Sequence, residues 1–237
     1  MTKTAVVAGV GPGLGAALVR KFVAQGCRVG MLARSRDYLE ELQDELGEEN
    51  ALAVPADITR DAAVASAFAQ VKDRFGPVDI LVNHASLSNW KGLMEITPAE
   101  FERAWRVTVL GALHCSRVAA TDMLTDDRGG TILFSGATSS IRGRQGAIDF
   151  SSAKFGLRGL ADSMARELWP LGVHVAHVLI DGIIDTARVQ EQMNPDPDEP
   201  MLKPDDIAAV YWSLVEQQRS AWSFELEVRP STEEFYS

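Results

Sequence analysis

The sequence lacks the features that mark several specialised classes of protein. Its 237 residues include only two cysteines, Cys27 and Cys115, and neither belongs to a C-x-x-C pair or to a metal-ligand spacing. Both stand in apolar surroundings, so we expect buried free thiols, a reducing cytoplasm and no bound metal. No run of about 20 apolar residues is present, so we expect no transmembrane helix.

Positive charge is also scarce. The chain has 33 acidic and 23 basic residues, a formal net charge of −10, and no basic run. Nucleic acid binding normally requires a basic patch, so neither nucleic acid nor a membrane is an expected partner. Glycines over residues 9–15 interrupt the apolar N-terminal run, which argues against a secretory signal. These absences favour a cytoplasmic globular protein that acts on a small molecule.

A glycine-rich stretch near the N-terminus is the most informative feature that is present. An apolar run over residues 5–8 leads into it, and a helix-period stripe follows it. Its key members are Gly9, Gly11, Gly13, Leu14 and Gly15. A helix that starts this way offers free N–H groups and the positive end of its dipole to a phosphate. The spacing fits the G-x-x-x-G-x-G variant of the dinucleotide motif, and a purely structural turn is the alternative.

Short apolar runs alternate with helix-period stretches along nearly the whole chain. The predicted strands are residues 5–8, 28–33, 51–55, 78–82, 131–135, 173–180 and 224–228. Strict alternation implies right-handed crossovers and a parallel sheet with helices on both faces. The sequence therefore predicts an α/β fold: a single Rossmann-type, doubly wound domain of about seven strands over residues 1–237.

The loop after the second predicted strand bears on the choice of cofactor. NAD-binding proteins usually place an acidic residue here, but this chain has Arg34, Ser35 and Arg36. A guanidinium can bind a 2′-phosphate through two hydrogen bonds, so Arg34 and Ser35 favour NADP(H) over NAD(H). The alternative is a solvated helix cap, and Arg36 fits that description.

Further motifs follow the later strands. They are Asp57-Ile58, Asn83-His84-Ala85-Ser86, the helix around Lys154, and the segment from Asp181-Gly182 to Thr186. Together with the glycine stretch, they make the chain resemble the short-chain dehydrogenase/reductase family over nearly its full length. The resemblance implies a nicotinamide cofactor, a homodimer or homotetramer, and a substrate lid over residues 187–203.

The resemblance also implies particular cofactor contacts. These are Asp57 and Ile58 at the adenine, Asn83 and Ala85 beyond it, Lys154 at the nicotinamide ribose, and Thr186 at the carboxamide.

The family's catalytic positions are where this chain departs from the pattern. The motif Tyr-x-x-x-Lys has Phe150 four residues before Lys154, and the position of the family's serine is Ala137. The family's structural asparagine falls at Thr108. Losing a general acid costs about 10²–10⁴ in rate, and losing an oxyanion donor about 10²–10³. The usual route of carbonyl reduction is therefore closed to this chain.

Nearby residues offer substitutes for the missing groups. Ser139, in a loop rich in hydroxyls, is a candidate to contact the substrate. Asp181 replaces the family's proline, and we expect it either to pair with Lys154 or to carry a proton; a loop aspartate bonded to its own backbone is the alternative. His84 is expected to be a packed loop histidine, and Asp149 to cap a helix or be solvated.

Three hypotheses about function follow. The first is an NADP(H)-dependent oxidoreductase that transfers a hydride to or from a small carbonyl or alcohol by a non-standard proton-delivery arrangement, with Lys154 as a candidate catalytic residue. The second is a catalytically silent NADP(H)-binding sensor or partner subunit. A lyase or dehalogenase on the same fold ranks below both, because it too requires an acid in place of the phenol.

Overall fold

The order of helices and strands follows the alternation expected from the sequence. The computed structural model describes residues 2–196 and 198–232, with only the backbone of Gln192. The elements are β1 (Thr4–Ala8), α1 (Leu14–Ala24), β2 (Arg28–Ala33), α2 (Arg36–Leu46), β3 (Ala51–Pro55), α3 (Asp61–Phe75), β4 (Ile80–Asn83), α4 (Pro98–Trp105), α5 (Gly111–Leu124), β5 (Gly130–Ser135), α6 (Ile148–Leu168), β6 (Val173–Ile180), β7 (Ile183–Ile184), α7 (Ala187–Met193), β8 (Met201–Leu202), α8 (Pro204–Val215) and β9 (Glu225–Val228).

Seven strands form one parallel sheet. Their order is β3-β2-β1-β4-β5-β6-β9, and every neighbouring pair runs parallel. The prediction of a Rossmann-type, doubly wound sheet is confirmed. The chain reverses its direction of winding between β1 and β4, which is where such sheets bind ligands outside the carboxyl ends of their strands.

The fourth strand differs slightly from its prediction. It was expected over residues 78–82, but it begins at Ile80 and ends at Asn83. The N–H of Val78 donates to the Asp122 carboxylate at 3.1 Å instead of to a neighbouring strand. A side chain 44 residues away therefore sets this boundary.

The two faces of the sheet are covered by separate apolar clusters. Alternate residues of one strand supply them: Val7 faces the cluster under α1 and α8, whereas Val6 faces the cluster under α3, α5 and α6. Burying a side chain such as valine or leucine stabilises the fold by about 1.5–3 kcal/mol. Burial on both faces explains why these strands appear in the sequence as continuous apolar runs.

The helix that begins after Thr97 contains an irregular turn. Thr97 and Glu100 form a capping box, and Pro98 occupies the first helical position, as the sequence predicts. Residues Arg106–Leu110 then form a π-helical turn between α4 and α5 that buries Thr108. Such turns occur often at functional sites.

The predicted lid segment contains regular structure. It holds the helix α7 and the strand β8, and β8 pairs with β7 in a separate two-stranded ribbon. Pro197 of this segment lies outside the described residues. The short ribbon was not predicted, because a strand of two residues leaves no readable pattern.

The two cysteines are buried free thiols, as predicted. Burial raises the pKa of Cys27 to about 11 and that of Cys115 to about 12, so both stay protonated. Within residues 2–196 and 198–232, no helix combines the length and apolar character needed to cross a membrane. Nor do the described histidine, cysteine and acidic side chains come together in threes as a metal site would require.

Candidate functional site

The glycine turn lies where β1 ends and α1 begins. Gly9 has a φ of +105°, and a Cβ atom on it would come within 2.4 Å of the Ala85 nitrogen. A Cβ atom on Gly13 would come within 2.9 Å of the Thr186 methyl group. The fold therefore brings together three segments that the sequence predicts at the cofactor, and it leaves no room there for larger side chains.

The start of α1 suits a phosphate. Gly13 is the N-cap residue, and no side chain caps the first N–H groups of the helix. At Gly11, a Cβ atom would meet nothing within 4 Å, so this side of the turn is open. Free N–H groups at the positive end of a helix dipole favour an anion. Side chains larger than hydrogen at Gly9 and Gly13 would fill this turn, and the turn is open at Gly11. Such a site fits the diphosphate of a dinucleotide.

Gly9 is crowded and Gly11 is open, so we expect substitution by alanine to affect stability differently at the two positions. Gly9→Ala should lower the free energy of unfolding by about 2–5 kcal/mol, through backbone strain and overlap with Ala85. Gly11→Ala should change it by less than about 1 kcal/mol, because the added methyl group meets nothing. Urea unfolding followed by circular dichroism measures both. Equal stability of the two variants would contradict the described packing.

A cavity of about 340 Å³ adjoins the loops after β2 and β3. Its lining residues are Arg34, Asp57, Thr59, Ala99, Glu102, Arg103, Arg106 and Val107. Asp57 accepts hydrogen bonds from the Thr59 nitrogen at 3.0 Å and the Thr59 hydroxyl at 2.7 Å. These bonds, aided by the charge of Arg34, lower the pKa of Asp57 and keep it a carboxylate. The cavity thus joins a predicted adenine contact to the predicted 2′-phosphate contact.

The neighbours of these residues take different positions. Ile58 is buried beneath Gly111, where a Cβ atom would come within 2.7 Å of it. Ser35 is exposed and precedes α2 without capping it through its side chain. Arg36 pairs with Glu40 at 2.9 Å, which agrees with a solvated helix contact. Arg103 and Arg106 also line this cavity, but the sequence did not identify them as site residues. The order of the strands in the sheet, which sequence spacing does not reveal, brings them near the loop after β2.

The side chain of Asn83 contacts a helix behind the sheet. Its Nδ2 atom donates to the Ser116 hydroxyl at 3.0 Å, and its Oδ1 atom is buried without a partner. The side chain thus connects β4 to α5. Ala85 does lie at the glycine turn, where its N–H donates to the carbonyl of Ala8 at 2.8 Å.

Lys154, which the resemblance places in the family's catalytic set, is buried. Only 4% of its surface is exposed, and its Nζ atom donates to the carbonyl of Ser135 at 2.7 Å. The ammonium lies 5.5 Å from the centre of the Phe150 ring. Burial lowers the pKa of Lys154 to about 8, so this amine can give up a proton near neutral pH.

An aromatic pair covers this end of the site. The rings of Trp90 and Phe150 are 5.4 Å apart, and the Arg144 guanidinium lies 5.4 Å over Trp90. Asp149 accepts hydrogen bonds from the Asn89 nitrogen at 2.9 Å and its side-chain Nδ2 at 2.7 Å. Asp149 also accepts the N–H of Phe150, in the first turn of α6, at 2.8 Å, which agrees with an expected helix-capping contact. The alternative of a solvated side chain is wrong, because Asp149 is buried and also anchors the loop of Trp90.

Two further residues in this region differ in exposure. Met94 is 93% exposed. Thr108 is buried, and its hydroxyl accepts a hydrogen bond from the Leu87 nitrogen at 3.4 Å. A threonine at this position therefore supports the loop after β4.

Asp181 pairs with a residue that the sequence did not suggest. Its carboxylate accepts hydrogen bonds from the Thr138 hydroxyl and from Arg229, and both contacts are buried or nearly so. The expected pairing with Lys154 is thus wrong, because β9 lies beside β6 and carries Arg229 to Asp181. The Thr138 hydroxyl commits its proton to this carboxylate. Ser139 is buried beside it, in the turn Thr138–Ser140.

Asp181→Asn should lower the free energy of unfolding by about 1–3 kcal/mol at neutral pH. The substitution removes a charge-assisted hydrogen bond and leaves Arg229 with less negative charge. Chemical denaturation of the variant and of Asp185→Asn, a nearby aspartate on the lid side, measures the effect. Unchanged stability would contradict the ion pair, whereas a loss of turnover by about 10² in a stable variant would assign Asp181 to proton transfer.

The last predicted cofactor residue caps a helix. The hydroxyl of Thr186 accepts a hydrogen bond from the Val189 nitrogen at 3.3 Å and so begins α7. Its methyl group faces Gly13 across the glycine turn. The segment proposed as a lid therefore starts at the floor of the site.

Sequence reasoning missed a buried polar chain behind Lys154. The Tyr211 hydroxyl donates to the Ser135 hydroxyl at 2.7 Å, and the Ser135 hydroxyl lies 3.0 Å from His84 Nδ1. Burial and the charge of Lys154 lower the pKa of His84 to about 4, so the ring is neutral. His84 is packed, as expected, but against hydroxyl groups. In the sequence, the sign of this buried polar chain is Ser135, a polar residue at the end of an apolar strand.

Comparison with known families and proteins agrees with the observed fold. Residues 3–197 match the short chain dehydrogenase family. A 3alpha-hydroxysteroid dehydrogenase of Mediterraneibacter gnavus is 32% identical over 170 residues, which cover 70% of this chain and 68% of that protein.

Two solved structures share the fold over nearly the whole length. An alcohol dehydrogenase from Thermococcus sibiricus, complexed with 5-hydroxy-NADP, is 25% identical, with a TM-score of 0.86 and 99% coverage of both chains. A 3-ketoacyl-(acyl-carrier-protein) reductase from Brucella melitensis, complexed with NADH, is 27% identical, with a TM-score of 0.86 and 97% coverage of both.

Proposed function

Because this chain belongs to the short-chain dehydrogenase family, we propose that it is an NADP(H)-dependent oxidoreductase acting on a small carbonyl or alcohol with a non-standard proton source. The observation that carries the proposal is the burial of Lys154. Its one hydrogen-bond acceptor in the described residues is the Ser135 carbonyl, although a buried ammonium normally has an acidic partner. A perturbed amine in a cleft is a candidate for chemistry.

The cofactor's adenine half would bind in the cavity after β2 and β3. Asp57 in the lining, and Ile58 next to it in the chain, would contact the adenine, and Arg34 would bind the 2′-phosphate. Arg103 adds positive charge, whereas Arg106 is paired with Glu102 at 2.8 Å. The relatives are complexed with 5-hydroxy-NADP in one case and NADH in the other. The residue after the second strand separates the two cofactors, because an acidic residue there holds the ribose 2′-hydroxyl, whereas an arginine such as Arg34 favours a 2′-phosphate.

The nicotinamide half would extend from the glycine turn toward Lys154. Gly9 to Gly15 would hold the diphosphate, Ala85 would line the path, and Thr186 would contact the carboxamide. When bound, the nicotinamide supplies or accepts the hydride. The chain's own residues must then supply or accept the proton.

Lys154 is the proton source in this proposal. In reduction, its Nζ atom gives a proton to the reacting oxygen; in oxidation, the neutral amine takes one. The Phe150 ring and the Ser135 carbonyl hold the ammonium in place. The buried Ser139 hydroxyl is the candidate to orient the reacting oxygen, since Thr138 is bonded to Asp181.

The rate of reduction should fall as the pH rises through about 8. Burial lowers the pKa of Lys154 to about 8, so the ammonium that acts as the acid is lost above that pH. We expect kcat for reduction to be nearly constant below about pH 7 and to fall about tenfold per pH unit well above 8. The oxidation rate should rise over the same range. Steady-state rates in both directions, from pH 6 to about 10, measure this; residual activity of Lys154→Met showing the same inflection would contradict the assignment.

Assembly into a homodimer or homotetramer, in the cytoplasm, is part of the proposal. The helices α4 and α6 pack together and expose Trp105 at 40% and Phe155 at 45%. Large apolar side chains left exposed together often mark an interface. Sedimentation of the purified protein tests this point.

The second candidate is a silent NADP(H)-binding sensor or subunit. The absence of the phenol at Phe150 and of the hydroxyl at Ala137 favours it. Titrating the wild-type protein with NADPH, followed by cofactor fluorescence, tests the part common to both candidates. NADPH consumption with a panel of aldehydes and ketones separates them. Failure to bind NADPH would contradict both.

A further inference from the structure

A chain of buried hydroxyl groups ends on one nitrogen of His84. Tyr211 and Ser135 are 0% and 2% exposed, so neither hydroxyl can rely on water for a partner. The Tyr211 hydroxyl donates to the Ser135 oxygen, which leaves the Ser135 proton free to point elsewhere. The atom 3.0 Å away is His84 Nδ1. If Nδ1 carried the proton instead, the buried Ser135 proton would have no acceptor among the described residues, which favours a neutral His84 ring that accepts at Nδ1 and carries its proton on Nε2.

The Nε2 atom is on the accessible side of the ring. In the part of the chain that the structure describes, three buried side-chain atoms have no partner: Asn83 Oδ1, His174 Nδ1 and His177 Nε2. His84 Nε2 makes no hydrogen bond and is not among them, so it reaches the surface. His84 itself is partly exposed, unlike the two hydroxyls behind it.

The backbone of His84 lies beside the glycine turn. The N–H groups of His84 and Ala85 both donate to the Ala8 carbonyl, at 2.9 and 2.8 Å, where β1 enters the glycine turn. Lys154 bonds the carbonyl of Ser135, whose hydroxyl bonds His84. His84 therefore sits between the turn expected to hold the diphosphate and the lysine expected at the nicotinamide ribose.

We propose that Tyr211 and Ser135 are positioning residues that fix the proton of His84 on Nε2, and that this N–H donates to an oxygen on the nicotinamide-side phosphate or the nicotinamide ribose of the bound cofactor. The inference rests on the proposed function, because it requires a nicotinamide cofactor in the groove. Burial and Lys154 hold the pKa of His84 at about 4, which keeps the ring a neutral donor at working pH.

Cofactor binding without turnover provides the first test. His84→Ala should raise the Kd for NADPH about tenfold, the loss expected for a hydrogen bond to a polar or charged oxygen. It should leave the Kd for adenosine 2′,5′-bisphosphate within about twofold, since that probe lacks the second phosphate and the nicotinamide ribose. Isothermal titration calorimetry measures both ligands with the same protein.

Smaller substitutions separate positioning from folding. Ser135→Ala and Tyr211→Phe each remove one hydroxyl and should weaken NADPH binding about three- to tenfold, again without affecting the bisphosphate. Thr4→Val is the matched control, because the Thr4 hydroxyl is buried and bonded to a carbonyl, at the far end of β1. It should leave both Kd values unchanged. Equal weakening of both ligands in the His84 variant, or no weakening of either, would overturn the inference.

The protonated nitrogen can be observed directly. Long-range ¹H–¹⁵N correlation spectra of histidine-labelled protein distinguish Nε2–H from Nδ1–H, and the signal absent from His84→Ala identifies the residue. We expect Nε2–H in the wild type, and a mixture of tautomers in Ser135→Ala. Nδ1–H in the wild type would overturn the inference even if NADPH binds. If wild-type protein fails to bind NADPH, the proposed function and the cofactor contact both fail, even with Nε2–H observed.

Discussion

Lys154→Met should lower the rate of NADPH-dependent carbonyl reduction by about 10²–10⁴, the range for loss of a positioned general acid. Methionine fills similar space and keeps the apolar contact with Phe150, but it cannot donate to the Ser135 carbonyl or to a reacting oxygen. The loss should appear in kcat. Single-turnover measurements at saturating NADPH isolate the chemical step from binding.

Lys21→Met is the control for this substitution. Lys21 lies in the last turn of α1, at the end of the helix away from the glycine turn, so its loss should leave the rate within about twofold. Circular dichroism establishes that both variants are folded. A Lys154→Met rate within about threefold of the wild type would contradict Lys154 as the proton source.

Arg34→Ala should raise the Kd for NADPH about 100-fold and leave the Kd for NADH within about threefold. Two charge-assisted hydrogen bonds to a phosphate contribute about 1.5–3 kcal/mol each, and even partial loss gives this factor. NADH has no 2′-phosphate, so it loses nothing comparable. Fluorescence titration with both cofactors measures the change in preference.

Arg36→Ala is the matched control, because Arg36 lies two residues away and is paired with Glu40. It should alter neither affinity by more than about threefold. Arg34→Ala weakening both cofactors equally would place Arg34 outside the 2′-phosphate site. Wild-type protein that binds NADH as tightly as NADPH would contradict the NADP(H) assignment itself.

The fold could be predicted because its signals are local. Strands buried on both faces leave continuous apolar runs, and helices leave stripes of period 3.6, so their alternation is visible in the sequence. The glycine turn is visible for the same reason. Gly9 and Gly13 are required by close approach of Ala85 and Thr186, and that crowding leaves only one type of residue possible.

The contacts at the site were harder to predict because they are distant in the chain. Asp181 and Arg229 are 48 residues apart, Asn89 and Asp149 are 60 apart, and Ser135 and Tyr211 are 76 apart. Each pair depends on which strands are neighbours and on how α6 and α8 cross the sheet. No spacing rule connects such residues. The sequence shows only that a residue is unusual at its position, such as Asp181 where a proline is expected, and does not show which residue it contacts.

Phe150 stands where the resemblance leads us to expect a tyrosine, and its ring makes contacts of its own. The Phe150 ring contacts both Trp90 and the ammonium of Lys154, and Arg144 lies over the Trp90 ring. Two cations and two aromatic rings thus form a continuous series of contacts. Cation–π contacts favour the charged form of Lys154, which is the form that can donate a proton.

The measurement that tests the central claim most directly is NADPH consumption by the wild-type protein with a panel of small aldehydes and ketones, run beside the double variant A137S/F150Y. The account predicts consumption by the wild type with at least one substrate, and its loss in Lys154→Met. Consumption by the double variant alone would contradict it, because the wild type would then bind the cofactor without using it.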